Sequence, residues 1–417
     1  GIDYQETFAP VVRYTSLRYL IGLAVKDGYK ICQMDAITAF LQGDLTESVY
    51  MEQPEGYNDG SGRVCKLQKA IYGLKQAGHE WNKKLDRALL EVGMIKSRSD
   101  PCIYYTKNRN IILAIYVDDF LIFYRSTNNL GILKQYLNRR FMMKDLGTAQ
   151  RCLGMRITQH ENGIAIDQSM YIIDILKRFN IFDCKPVGTP TNTALHLSVK
   201  MVNENNEITG KVPYQEAVGS LLHLSQATRP DIAYAVHDVS RFNSKHANEH
   251  WQAVKRIFRY LKGTINYKLN FCRTEDNMEM HAFSDADWGS EVDERHSCSG
   301  HVVLLSNAAV SWYSHRQECV AMSSTEAEYI ALWETGREVI WLRNLEKELV
   351  QQQNATIVHM DNTSSMKLAE SDAYRRRSKH IDIRYHKVRE LIKLGFIKLK
   401  YRESSKMVAD SLTKAVT

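Results

Sequence analysis

Seven acidic side chains occupy positions where a carboxylate has chemical rather than merely solvating value: Asp35, Asp118, Asp119, Asp285, Glu328, Asp361 and Asp410. Asp118 and Asp119 stand bare between two apolar runs, residues 111–117 and 120–124. Carboxylates beside so much apolar surface are costly unless compensated, and a divalent cation is the usual compensator. If adjacent strands of one sheet bring Asp35 to that pair, three carboxylates at one edge can hold two magnesium ions. Such a pair activates an attacking hydroxyl and neutralises a leaving pyrophosphate, which is the chemistry of nucleotidyl transfer. Asp285, Glu328, Asp361 and Asp410 form a second candidate set, able to clamp two ions that activate water against a phosphodiester. The plainer readings are a polar turn for the pair, an ordinary strand end for Asp35, and a helix cap for Glu328.

The elements that must position these acids are readable from periodicity. Residues 111–124 predict a tight hairpin with both acids at its turn, although Asp-Asp is not a favoured two-residue turn. A helix capped by Thr15-Ser16 and stopped by Gly28 precedes a strand, residues 29–34, that delivers Asp35 at its end. A helix with Trp81, Leu85, Leu89 and Val92 on one face follows the basic segment 70–77. Beyond the hairpin come a helix through residues 130–141, a hairpin pairing 151–158 with 164–167 around Asn162-Gly163, and a short helix at 171–179. Residues 186–213 are polar and extended, the best candidate linker. A helical block follows, ending in a helix with the stripe Trp251, Val254, Ile257, Phe258 and Leu261 and a basic remainder. That basic face is either solvated or in contact with phosphate.

From residue 278 the pattern becomes strand, strand, strand, helix, strand, helix, strand, helix, with Asp285 after the first strand, Asp361 after the fourth and Asp410 in the last helix. Glu328 has a competing duty, because Thr325-x-x-Glu328 is itself a capping box. Ser323-x-x-Glu326 offers an equivalent box, and if that one forms, Glu328 is free to face a cleft.

Composition sets the class. A chain of 417 residues has room for two or three domains, and its net charge of +7 suits a polyanionic partner without demanding one. The eight cysteines are scattered singly with no C-x-x-C pair, which predicts reduced core thiols of an intracellular protein rather than a disulfide frame or zinc site. No apolar run reaches bilayer length and no leader opens the chain, so no membrane partner is expected. The start at Gly1, without Met, predicts a fragment of a longer protein.

Four motifs in order carry a family resemblance: ETFAPVVRYTSLR at 6–18, QMDAITAFLQGDL at 33–45, YGLKQA at 72–77 and YVDD at 116–119. They resemble the reverse transcriptase of copia-type retrotransposons. SDADW at 284–288, SSTEAEY at 323–329, Asp361-Asn362 and ADSLTK at 409–414 are similar to that family's ribonuclease H domain. The resemblance implies that Asp35, Asp118 and Asp119 bind the polymerase metals, and that Asp285, Glu328, Asp361 and Asp410 bind those of the nuclease. It places Phe40 where an aromatic edge excludes a ribose 2′-hydroxyl, Gln76 beside the incoming nucleotide, and Leu153-Gly154-Met155 at the primer terminus. Departures are Gly78-His79 for a usual Pro-Arg and Ile37 for a usual Lys. The segment KHIDIRYH, with His380, Asp382 and His386, also resembles the family; its spacing favours a structural or phosphate-contacting role over a metal.

The implied fold is α/β (α+β): a palm-like polymerase domain with truncated fingers at 1–185, a linker at 186–212, a helical thumb or connection at 213–275, and a ribonuclease H-like domain at 276–417. The implied activity is RNA-templated DNA synthesis with degradation of the RNA strand. Two Mg2+ per site are expected, with Mn2+ as the substitute ion. Implied partners are an RNA template, a DNA primer, the RNA–DNA hybrid, deoxynucleoside triphosphates and other Pol and Gag segments. The compartment would be the cytoplasm, within a virus-like particle, or the nucleus. The competing readings are an impaired or co-opted nucleic-acid-binding relic and a hybrid-specific nuclease.

Overall fold

The computed structural model describes residues 7–203, 207–273, 279–350, 354–371 and 382–416. Two compact units result, one of Gly1–Arg13 with Gly28–Cys152 and one of Tyr14–Asp27 with Leu153–Thr417. The two units meet in sequence at residues 152/153, and the helix near the N-terminus belongs to the second unit.

The first unit is built on a six-stranded antiparallel sheet, in the order Ile95–Lys96, Ile103–Tyr105, Ile111–Tyr116, Asp119–Tyr124, Lys30–Ala36, Met143–Thr148. Its middle strands are rich in β-branched and aromatic residues, which pack well on a pleated surface. One face is covered by the helices Ala77–Glu91 and Thr127–Arg140: Trp81, Leu85, Leu89, Leu130, Leu133 and Leu137 share a core with Cys32, Met34, Phe120 and Ile122. Alternation then turns Gln33, Asp35 and Asp119 to the other face.

In the second unit, Met155–His160, Gly163–Asp167 and Leu269–Cys272 form consecutive antiparallel strands. The turn expected at Asn162-Gly163 sits one residue earlier, and Gly163 is inside the strand. A Cβ there would lie 2.2 Å from the Phe271 carbonyl oxygen, so only glycine fits. The helical block is Tyr214–Ala227, Ala233–Ser240 and Asn248–Gly263. The expected linker is packed rather than loose, because Leu195, Leu197 and Met201 join the core of those helices. The C-terminal sheet runs Ala308–Arg316, Cys298–Leu305, His281–Asp287, Thr356–Met360, Ile397–Tyr401, the first three antiparallel and the last two parallel to the central strand. Two helices, Thr363–Glu370 and Asp382–Lys393, lie between the last two strands where one was expected. The expected terminal helix is a pair of 3-10 turns, Ser404–Lys406 and Val408–Leu412.

The helix Tyr14–Asp27 is buried from Ser16 to Val25, not along one side only. Its one buried cation, Arg18, donates to the carbonyls of Val310 (2.8 Å), Gln226 (2.6 Å) and Ala227 (2.8 Å) and lies 3.8 Å from the centre of the Trp312 ring. All eight cysteines are free, but only Cys32, Cys102, Cys152 and Cys298 are core thiols, and Cys319 is exposed. Among the described residues no helix is long and apolar enough to cross a membrane. Residues 375–381, including the basic run and His380, lie outside the described residues.

Candidate active sites

In the first unit, Asp35 and Asp119 face each other across an antiparallel ladder. The hairpin does not turn on both acids as expected. Tyr116 pairs with Asp119, so Val117 and Asp118 make the turn and Asp119 opens the returning strand. A two-residue hairpin loop needs positive φ to match strand twist, and here Val117 supplies it at φ 56°. A β-branched residue in that region is strained. The buried Trp81 holds the turn by donating its indole N–H to the Val117 carbonyl at 2.8 Å, and the Asp118 carbonyl accepts from Ala36 N–H at 2.9 Å. Gln33 donates to Asp119 Oδ1 at 3.0 Å. Burial, then the neighbouring Asp118, raises the Asp35 pKa against the opposing pull of Lys144. Asp119 is raised chiefly by burial, with Gln33 opposing and Asp118 and Asp35 adding.

In the second unit the acids close more tightly. Asp285, Asp361 and Asp410 each present an oxygen, and these atoms all lie within 4.8 Å of one another; no other set among the described residues does so. Asp285 lies in the central strand opposite Gly300, and a Cβ on Gly300 would meet Thr413 Cγ2 at 2.7 Å and Leu412 Cβ at 2.9 Å. Glycine therefore admits the turn Val408–Leu412 over the strand and brings Asp410 to Asp285. Thr413 Oγ1 donates to Asp285 Oδ2 at 2.5 Å, Ser404 donates to Asp361 Oδ2 at 2.6 Å, and Lys414 Nζ pairs with Asp410 Oδ2 at 3.0 Å.

Glu328 completes this group from the long helix Ser324–Leu349. The cap forms at Ser323, whose hydroxyl accepts from Glu326 N–H at 3.2 Å, while Glu326 accepts from Met322 N–H at 3.0 Å. Glu328 is thereby released from capping. Burial, then Asp285 and Asp361, push its pKa up to about 9 despite a backbone hydrogen bond from Ala286. Burial likewise pushes Asp285 up to about 6, opposed by Thr413 and reinforced by Asp410. Glu328 Oε2 and Asp410 Oδ1 are buried and have no partner among the described residues. Convergent hard oxygen donors with two orphaned lone-pair sites fit a divalent cation such as Mg2+.

Residues 1–193 match the family model described as reverse transcriptase (RNA-dependent DNA polymerase). The whole chain is 43% identical to the retrovirus-related Pol polyprotein from transposon TNT 1-94 of Nicotiana tabacum, covering 32% of it. It is 38% identical to the corresponding protein of transposon RE1 of Arabidopsis thaliana, covering 28%. A putative transposon Ty5-1 protein of Saccharomyces cerevisiae is covered in full, by 73% of this chain, at 34% identity. The chain belongs to the copia-type retrotransposon Pol family. It spans about a third of the length of the tobacco relative. Among solved structures, a ribonuclease H1 from Halobacterium salinarum aligns with 32% of this chain and 93% of its own, at 16% identity and a TM-score of 0.24.

Within this Pol chain, Phe40 lies in the 3-10 turn Ala39–Gln42 with its ring 4.7 Å from that of Tyr72. Gln76 is buried and donates to Glu47 at 3.3 Å. Leu153 and Gly154 both have positive φ, and Met155 is fully buried; all three belong to the second unit. Sequence reasoning missed the polar supports: Gln33, Trp81, Ser404, Thr413 and Lys414. Thr413 and Lys414 lay within the ADSLTK motif, but nothing in their types tells them from ordinary surface residues.

Proposed function

We propose that this Pol segment carries out RNA-templated DNA synthesis in its N-terminal part and hydrolyses the RNA strand of RNA–DNA hybrids in its C-terminal part. The observation that carries the reading is the convergence of Asp285, Asp361 and Asp410 around the buried, unpartnered oxygens of Asp410 and Glu328. Bound Mg2+ would lower the pKa of an attacking oxygen and neutralise charge on the leaving one. The chain's own residues do the rest. Asp285 is oriented by Thr413, and Asp361 by Ser404, so each carboxylate presents a fixed oxygen. Glu328 stays protonated until a cation arrives, which limits repulsion among four close acids. In the polymerase part, Asp35, Asp118 and Asp119 are the proposed ligands. The strained Val117 turn fixes Asp118, and the Gln33 amide fixes Asp119. Phe40, backed by Tyr72, presents an aromatic edge against a ribose 2′-hydroxyl. Template, primer, hybrid and deoxynucleoside triphosphates are the proposed substrates.

A hybrid-specific nuclease is the second reading, because among the described residues only the C-terminal acids bring three ligand atoms within 4.8 Å. Two assays on the same preparation separate the readings. Primer extension on an RNA template should be lost in Asp118→Asn and retained in Asp285→Asn, with hybrid cleavage showing the reverse pattern. Cleavage without any extension selects the nuclease alone. Cleavage that survives Asp285→Asn refutes the assignment of the acids.

A further inference from the structure

The second unit encloses a cavity of about 380 Å³ that neither proposed reaction uses. Its walls come from residues 190–197, the helices Ala233–Ser240 and Asn248–Gly263, the loop after the strand His281–Asp287, and the C-terminal residues Lys414 and Ala415. The size is within the range of small-molecule sites, roughly 300–1,000 Å³.

Charge within the cavity is unevenly compensated. On one side Arg241 pairs with Asp238 at 3.2 Å and with Asp293 at 3.3 Å, and also contacts Glu291, so that wall is satisfied internally. Elsewhere in the lining, Arg256 and Arg259 stand three residues apart on one helix face. Arg256 donates one Nη to the Thr189 hydroxyl at 3.0 Å, and its buried Nε has no partner among the described residues. Arg259 spends its Nε on the Lys185 carbonyl at 2.8 Å. Neither guanidinium meets a carboxylate among the described residues. Thr191, Asn192 and Thr193 add hydroxyl and amide groups, while Leu195, Ala253 and Ile257 supply an apolar wall. Asp287 and Lys414 also line the cavity, and Lys414 is the residue paired with Asp410 of the acid cluster.

Two carboxylate-free guanidiniums beside a short apolar wall call for a ligand with a compact anion at one end and a flat apolar body at the other. Guanidinium forks match phosphate oxygens in geometry and charge. We propose that this cavity binds a nucleotide 5′-phosphate, the phosphate on Arg256 and Arg259 and the base against Leu195 and Ile257. The nucleotide is either free or the phosphorylated end of an RNA strand.

Calorimetric titration of the full chain in EDTA tests this without turnover, so its outcome is separate from that of the enzymatic reading. The probes are 5′-AMP, adenosine, inorganic phosphate and a 5′-phosphorylated RNA tetramer. 5′-AMP should bind about ten-fold more tightly than adenosine or phosphate, since each lacks one half of the recognition. Arg256→Gln and Arg259→Gln should each weaken 5′-AMP by about ten-fold or more, with Arg256→Lys intermediate. A tetramer tighter than 5′-AMP identifies a strand end as the ligand, and the converse a free nucleotide; both support the site. Equal binding by the wild-type chain and folded Arg→Gln variants overturns it, as does 5′-AMP binding no tighter than phosphate. If a variant does not fold, phenylglyoxal labelling of the wild-type chain replaces it. Labelling of Arg256 and Arg259 should be protected by 5′-AMP, and unprotected labelling refutes the proposal.

Discussion

Glu328→Gln offers the most direct measure of how the nuclease acids are held without metal. Glu328 is about 5% exposed and its pKa rises from 4.5 to about 9, first through burial and then through Asp285 and Asp361. An acid whose folded pKa is raised contributes stability that is full below its unfolded pKa. That contribution is lost as pH climbs through the folded value, because the unfolded chain sheds the proton more readily. Each pH unit in that window is worth about 1.4 kcal/mol, so moving from pH 5 to pH 8 would cost about 4 kcal/mol at the limit. Allowing for relaxation, a loss on the order of 2 kcal/mol is expected, which for a unit of this size is about 4 °C in melting temperature. Glutamine keeps the shape and cannot ionise. In EDTA, the melting temperature of Glu328→Gln should exceed that of wild type by about that amount at pH 8, with the gap closing at pH 5. Mg2+ or Ca2+ at pH 8 should raise wild type more than the variant, because a cation gains only from the carboxylate. Melting curves at the two pH values, with and without cation, decide the matter. A gap that does not change with pH refutes the claim that burial, reinforced by the neighbouring acids, keeps Glu328 protonated.

Gly300→Ala inserts a methyl 2.7 Å from Thr413 Cγ2 and 2.9 Å from Leu412 Cβ. It should cost about 1–3 kcal/mol of stability and reduce hybrid cleavage while sparing primer extension, read by melting and the paired assays. Trp81→Phe keeps the buried ring but removes the donor to the Val117 carbonyl. Primer extension should fall and hybrid cleavage should not, with about 1–3 kcal/mol lost in denaturant titration of the N-terminal transition. Arg18→Met strands three carbonyls that one guanidinium now satisfies. A loss on the order of 3 kcal/mol is expected in the second unit, and an unchanged melting curve would mean that helix is not anchored there.

The convergence of Asp285, Asp361 and Asp410 was legible because carboxylates beside apolar strands are chemically conspicuous and their motifs follow in order. Their supports were not. Thr413, Ser404 and Gln33 are common polar residues whose role exists only once the chain is folded around an acid. The first helix was legible as a helix, but its unit was not, because allegiance depends on Arg18 finding carbonyls at positions 226, 227 and 310. Residues 186–213 looked like a free linker because they are polar on average; Leu195, Leu197 and Met201 suffice to pack them. Gln76, read from the motif as lying beside a nucleotide, is held by a buried bond to Glu47, a partner 29 residues away that spacing does not announce.

The hairpin at residues 116–119 illustrates why local rules miss at such places. Turn chemistry calls for Gly, Asn or Asp at positive φ; Asp-Asp meets that rule poorly, and Val-Asp meets it worse. The register nonetheless puts Val117 in the left-handed region, at a cost of about 1–3 kcal/mol that no turn preference would choose. What the strain achieves is placement. Shifting the turn back by one residue makes Asp119 a ladder position opposite Asp35, on the same face as Gln33. With both acids in the turn, neither would have a cross-strand partner, and side-chain alternation would no longer set their direction. The Trp81 hydrogen bond and the buried strands on either side hold the strained backbone in that register. A residue that breaks a propensity while neighbouring contacts enforce it is the pattern expected where geometry serves chemistry.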